Sequence, residues 1–447
     1  MGYAHGKEKE WRRSEVNTNV VLGLVVLFSS LFIYMMAFRL PVFLSMMLSC
    51  ATYGLFFPNV MAKSVIGSGI VYGLNSTIYA AIMFYFLLGE ILNNMGIGDR
   101  LIKFLRSLVG HIPGSLSHIN ILASMIFAGV SGSSTADTAS IGSMMIPMMK
   151  KEGYSAEYSA AVTEVSSIIG PIIPPSNGFI FCSLVLGCSV RRLFLGGIIP
   201  GILLGVFQLV VSYYIAKKRH FPCTKWQGWR HVVKTLFDGF GAVLLPLFVI
   251  IFLVAGIGTV VEIGACSCIL ALIVSVIYKD FSLKSFIKSV VNAGLSSAKI
   301  LAIISAAGIY QWIISSMGAT RAISTFVTGL NVGPTALVAV CLLIFFVLGM
   351  LVDTTVQHLV IMPLMASALI AAKVDLIWFS VLASLMINIG LNTPPVGNLI
   401  YATAAIAGCP AKGVIKESLP YLLVMILLCV ILLFCPGIVT FLPNLFG

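Results

Sequence analysis

The chain has 447 residues, 59% of them hydrophobic and only 9% charged. Soluble globular domains carry about 25% charged residues, so an ordinary soluble enzyme or binding module is excluded. The net charge of +12 resides mainly in loops between apolar runs, as the positive-inside rule expects of a membrane protein, and does not point to nucleic acid.

In chain order, a polar amino-terminal tail (1–17) precedes an apolar run from Val20 to Met36. That run is long, lacks a small-x-small cleavage site and is followed at once by another, so it reads as a span rather than a cleaved signal peptide. Spans are predicted at 20–36, 41–57, 75–94, 157–189, 193–216, 240–258, 262–278, 290–314, 376–408 and 418–441. Their length suits membrane helices, and the period-two alternation of a β-barrel is absent. The segment 97–110 sets Arg100, Lys103 and Arg106 among apolar residues. It reads as an interfacial amphipathic helix or, more plainly, a charged loop. Segment 319–330 is its counterpart.

Two shorter apolar pairs, 118–130 with 137–149 and 335–350 with 354–371, are interrupted by "SGSSTAD" and "GMLVDT". Half-length helices meeting at a polar tip read as re-entrant hairpins, about 118–150 and 335–371. At membrane depth such backbone is tolerated only where protein or a water-filled cavity surrounds it.

Three anchors recur in the same order. "NNMG" (93–96) matches "SSMG" (315–318), "DTASIGSMMIPMM" (137–149) matches "DTTVQHLVIMPLM" (353–365), and "GPIIPP" (170–175) matches "GLNTPP" (390–395), at offsets of 222, 216 and 220. Pro200 is likewise followed by Pro420. Each half, 18–216 and 240–447, crosses the membrane five times. An odd number inverts the second copy, so the fold class is an all-α polytopic membrane protein with an inverted repeat, two hairpins and two broken helices. The basic loop 217–239 separates the halves. Placing it in the cytoplasm puts 17 basic residues inside and nine outside, at the cost of leaving Lys7, Lys9, Arg12 and Arg13 of the tail outside.

Enzyme signatures are missing: there is no HExxH, no GxSxG and no GxxxxGK[ST], hence no ATP site. Asp137 and Asp353 could form an aspartyl-protease pair, but their equivalent places beside Thr suit a pseudo-symmetric transport site better. Ten scattered cysteines show no metal spacing and read as small hydrophobes. No enzyme activity, organic cofactor or nucleic-acid partner is expected.

The candidate site is polar. Ser131, Gly132, Ser133, Ser134 and Thr135 crowd the first tip, although small residues also serve close helix packing. Pro175 lacks an N–H and pushes Pro174 away from helical geometry. The span 157–189 is therefore expected to be two half-helices around an extended stretch with Ser176 and Asn177, and 376–408 likewise around Asn392, Thr393 and Asn398. A simple proline kink is the alternative. Freed carbonyls and these side chains could form two cation sites, one per repeat. Asp353 at the second tip defaults to function as an intramembrane carboxylate. Its mate Asp137 could instead cap the helix that starts there. Glu90, Glu164 and Glu262 fit structural hydrogen-bonding roles.

The run from "GVSGSSTADTAS" through "GPIIPPSNGFI" and "RRLFLGGIIPGILLG", with "LGMLVDTTVQHLVIMPLM" and "NTPPVGNLIYATAAIAG" in the second half, resembles the large membrane subunit of TRAP (tripartite ATP-independent periplasmic) transporters. The resemblance extends from about residue 20 to the end. "TVVE" (259–262) lacks the proline usual before that Glu, so no role carries over to Glu262. The resemblance implies a sodium-coupled, elevator-type importer in a bacterial inner membrane. It implies a small four-span subunit and a periplasmic binding protein that delivers a carboxylate-bearing solute, of the sialic acid or C4-dicarboxylate class. Sodium is the implied coupling ion, near Ser131 to Ser134, Gly170, Pro174, Gly349, Thr354, Gly390, Asn392 and Thr393. The solute carboxylate is implied near Ser131 or Ser133, Ser176 and Asp353; Asn177 and Asn398, in the two breaks, are further candidates. The rival readings are a stand-alone sodium–dicarboxylate symporter of related fold and, from another class, a channel.

Overall fold

Among the residues described by the computed structural model, 2–58, 74, 76–94, 97–329 and 333–447, every regular element is helical. In order these are α1 (Gly2–Met36), α2 (Val42–Phe56), α3 (Ile78–Asn94), α4 (Ile97–Val109), α5 (Ser115–Ser131), α6 (Ser134–Lys151), α7 (Ala156–Ser167), α8 (Asn177–Leu186), α9 (Val190–Arg219) and α10 (Trp229–Asp238). The second half holds α11 (Phe240–Ala255), α12 (Val260–Ile277), α13 (Leu283–Ser316), α14 (Ala319–Gly329), α15 (Pro334–Gly349), α16 (Thr354–Ala371), α17 (Leu376–Leu391), α18 (Asn398–Ala407), α19 (Ala411–Phe434) and α20 (Pro436–Phe446). By length and apolar composition, six helices qualify as spans, or eight if two bent pairs count. Met95, Gly96 and Leu330, which belong to the predicted 93–96 anchor and the 319–330 segment, lie outside the described residues.

Local chemistry explains where the helices start. The hydroxyls of Ser155, Ser176 and Ser189 accept N–H bonds from the first turns of α7, α8 and α9. Asp375 Oδ1 accepts from Ile377 and Trp378 at 2.8 and 3.0 Å. Thr259 and Glu262 form a reciprocal capping box on α12, which gives Glu262 a structural task. Three single prolines lie inside helices without ending them, Pro200 in α9, Pro246 in α11 and Pro420 in α19. Each Pro-Pro pair stands in a break between helices.

The chain forms two compact units. One comprises Met1–Tyr79, Ala298–Val338 and Thr355–Val374. In it α1 packs on α2, and α14 packs on the carboxy-terminal part of α16. Tyr34 pairs with Thr52 at 2.8 Å, and Ser49 bonds the buried Tyr310 hydroxyl. The other comprises Ala80–Ser297, Ala339–Thr354 and Asp375–Gly447. There α7 is wrapped by α5, α6, α18 and α19, and α9 packs on α5, α17, α19 and α20.

Three sequence expectations change. The first hairpin tip is shorter than "SGSSTAD": only Gly132 and Ser133 lie outside the helices, because Gly132 adopts the left-handed conformation that ends α5 and Ser133 is extended before α6. The span predicted at 418–441 divides at Cys435, and Pro436 opens α20 as its first residue. The helix at 97–110 forms, but its apolar side (Leu101, Ile102 and Leu105) is buried by protein. Two of its charges pair with acids on other segments, Arg100 with Asp280 at 2.7 Å and Arg106 with Glu152 at 2.6 Å.

Candidate functional site

The first tip is built against the first break. The Gly132 carbonyl accepts from the Asn177 N–H at 3.3 Å. Gly132 has φ +58°, and a Cβ there would stand 2.5 Å from the Pro175 carbonyl oxygen, so no larger residue fits. Ser131 Oγ donates to Asp137 Oδ1 at 2.5 Å. Asp137 is fully buried, and α6 starts from Ser133, so the carboxylate braces the tip rather than capping the helix. Ser133 pairs with Thr135 at 3.0 Å.

The break itself runs from Ile168 to Ser176, with a cis Pro174–Pro175 bond. The buried Ser176 hydroxyl donates to the Pro171 carbonyl at 2.5 Å and accepts from the Phe179 N–H at 3.2 Å. It holds both sides of the break together. Gly170 lies against the Asp137 carboxylate, 2.8 Å from Oδ2 for a Cβ built there. Carboxy-terminal ends of α5 and α7 and amino-terminal ends of α6 and α8 thus meet in one place, which offers partial negative charge for a cation and partial positive charge for a carboxylate.

The second break, Asn392 to Gly397, also holds a cis bond, Pro394–Pro395. Here backbone meets backbone. A Cβ on Gly390 would lie 2.7 Å from the Phe346 carbonyl oxygen and 2.8 Å from Gly349 Cα. Val396 N–H donates to the Met350 carbonyl at 3.2 Å. Thr393 Oγ1 bonds back to the Ile389 carbonyl at 2.8 Å. Asn392 is buried and donates from Nδ2 to the Glu164 carbonyl on α7 at 3.3 Å. Asp353 and Thr354 are half-buried, and Asn398, the first residue of α18, is exposed.

A second bond links the two regions: Ser134 Oγ donates to Asn388 Oδ1 at 3.1 Å. Asn388 was not among the sequence candidates, although it stands one helical turn before Asn392 on the same face. A further polar seam was also missed. Asn120, Ser124 and Thr138 bond Thr163, Ser166 and Ser167 of α7 at 2.7, 3.0 and 2.8 Å. The structure therefore joins Ser131, Gly132, Ser134, Gly170, Pro174, Ser176 and Asn177 with Asn392 in one connected region, and brings Gly349 onto Gly390.

This region has acceptors in excess. Asp137 Oδ2, Asn392 Oδ1 and both carboxylate oxygens of the fully buried Glu164 have no hydrogen-bond partner among the described residues. Buried polar atoms are usually satisfied. Unpartnered acceptor oxygens beside broken helices are chemistry that suits a hard cation. Glu90, by contrast, accepts from Asn94 and Asn292 at 3.1 and 3.0 Å and is locally satisfied.

A family model described as Tripartite ATP-independent periplasmic transporter, DctM component, matches residues 29–438. The chain is 32% identical over 378 residues to the sialic acid TRAP transporter permease protein SiaT of Haemophilus influenzae, covering 84% of this chain but 61% of SiaT. It is 29% identical to the 2,3-diketo-L-gulonate TRAP transporter large permease protein YiaN of Escherichia coli, over 90% of this chain and 95% of YiaN. In fold it resembles the YdaH transporter of Alcanivorax borkumensis, with a TM-score of 0.62 at 13% identity, over 84% of this chain and 88% of that one.

Proposed function

The chain belongs to the DctM component family of tripartite ATP-independent periplasmic transporters, and from that premise we propose that it is the large membrane subunit of a sodium-coupled importer. The observation that carries this reading is the pairing of two double-proline helix breaks with buried, unpartnered acceptor oxygens beside them, Asp137 Oδ2 against Gly170 in the first and Asn392 Oδ1 in the second. Sodium needs several oxygens and no donors, and the residues present fit that need. Ser131 to Ser134, Gly170 and Pro174 would hold one ion through side chains and carbonyls. Gly349, Thr354, Gly390, Asn392 and Thr393 would hold another.

The solute is a carboxylate, of the class to which sialic acid and 2,3-diketo-L-gulonate belong, bound near Ser131 or Ser133, Asn177, Asp353 and Asn398. Ser176 shapes the break, since its hydroxyl is already engaged on both sides. The family description, tripartite and periplasmic, supports a small membrane subunit and a solute-binding protein as partners, in a bacterial inner membrane. Movement is of the elevator type, with tips and breaks travelling together against the remaining spans.

The test is uptake into proteoliposomes holding this chain and its small partner, with candidate binding proteins and with or without a sodium gradient. Uptake that needs both the binding protein and the gradient is expected. Uptake without any binding protein would instead identify a stand-alone symporter, and gradient-independent flux a channel.

A further inference from the structure

The segment between α9 and α11 has no task in the reading above. It begins where α9, a 30-residue apolar helix long enough to span a bilayer, ends in Lys217, Lys218 and Arg219. It returns to the membrane helix α11 at Phe240. Both ends of the segment therefore join apolar helices, and α10 leaves α11 at 72°. With α11 along the bilayer normal, α10 lies close to the membrane plane.

The faces of α10 divide into three. Val232 is buried, and Thr235 Oγ1 bonds Ser107 of α4 at 2.6 Å, so this face is fixed to protein. Trp229, Val233 and Phe237 recur every four residues and are 70%, 48% and 71% exposed. Arg230 and Lys234, both exposed, flank that stripe. Trp226, 41% exposed, extends the apolar surface toward His111, whose ring it meets edge-on at 4.7 Å. Leu108, Val109, His111, Trp226 and Trp229 line an open cavity of about 540 Å³. Between residues 217 and 239 there are six Lys and Arg and one acid, Asp238.

We propose that α10 is an interfacial anchor for anionic phospholipid. Trp229, Val233 and Phe237 enter the boundary between headgroups and acyl chains, and Arg230 and Lys234 take the phosphate of an acidic headgroup. The occupant is lipid rather than a protein partner for two reasons. Both ends of the segment are tied to membrane helices, and the exposed stripe pairs tryptophan with a basic flank, the composition that anchors helices in anionic leaflets. Each surface Lys or Arg adds about 1 kcal/mol of attraction to such a leaflet.

The experiment uses the full chain with its small partner in nanodiscs of phosphatidylcholine, with or without phosphatidylglycerol. Brominated acyl chains serve as tryptophan quenchers. Tryptophan also stands at positions 11, 226, 312 and 378, so the expected result is a quenched Trp229 component in the difference between wild type and Trp229→Phe. Arg230→Ala with Lys234→Ala should lower retention of phosphatidylglycerol over phosphatidylcholine, read by native mass spectrometry, by roughly tenfold or more. Equal quenching in wild type and Trp229→Phe would overturn the proposal. So would shielding of Trp229 by the small partner, or an unchanged lipid preference in the double variant. A soluble control, circular dichroism in detergent, reports whether each variant folds.

Discussion

The two helix breaks share a cis Pro-Pro bond and differ in what holds them. The first is closed by its own side chains: Ser176 bridges its two sides, Ser131 braces Asp137, and the tip glycine fits against Pro175. The second brings backbone against backbone, Gly349 on Gly390 with Val396 bonded to Met350, and the Asn392 side chain ties it to the Glu164 carbonyl. Its polar groups are also more open, with Asp353 and Thr393 half-buried where Asp137 is fully enclosed. The same sequence device thus yields a stitched joint and a close-packed one. In the stitched joint the Ser131 and Ser176 hydroxyls brace the structure, and in the close-packed joint Asp353 and Thr393 stay half-buried.

The sharpest way to break this contrast is to remove a group from each side. Asp353→Ala and Ser131→Ala are each expected to reduce sodium-dependent uptake to background, with insertion and subunit assembly intact by blotting and co-purification. Normal uptake in both would sink the site assignment. Next is Gly390→Ala, whose Cβ has no room beside Phe346 and Gly349. Overpacking of this kind costs about 1–3 kcal/mol, so a lower unfolding midpoint and impaired uptake are expected together. A variant with wild-type midpoint would show that the backbone contact is not what holds the second break. Ser176→Ala removes a helix cap worth about 1 kcal/mol. It should lower stability while leaving the solute KM near wild type, and a large KM change would return Ser176 to the solute site. The smallest effect belongs to the link between regions. A double-mutant cycle on Ser134→Ala and Asn388→Ala should give a coupling of about 0.6 kcal/mol, typical of hydrogen bonds between membrane helices.

Much of this was readable in advance because the signals are local. Pro-Pro pairs, glycines and apolar run lengths act within a few residues, so both breaks and most helices could be located from sequence, while the division of the predicted 418–441 span at Cys435 could not. What could not be read depends on neighbours. The helix at 97–110 has the amphipathic pattern of an interfacial element, but protein covers its apolar side. The neighbouring α10, too short to stand out among stronger runs, leaves its apolar side uncovered. Asn388 became visible only once Ser134 was found opposite it. Ser176 caps α8, a role that sequence does not separate from ligand binding because a cap and a ligand use the same hydroxyl.

The polar seam on α7 also bears on how the chain is made. Thr163, Glu164, Ser166 and Ser167 make this helix a poor passenger for the lateral gate of a translocon, which sorts segments by their cost in lipid. Asn120, Ser124 and Thr138 satisfy three of those residues, and all three lie upstream, on α5 and α6. The hairpin is therefore synthesised first and waits as a ready-made polar surface against which α7 can leave the ribosome's exit path. The expected outcome is that α7 integrates only together with α5 and α6, so a chain in which α6 is deleted should fail to integrate α7 in a glycosylation-mapping assay.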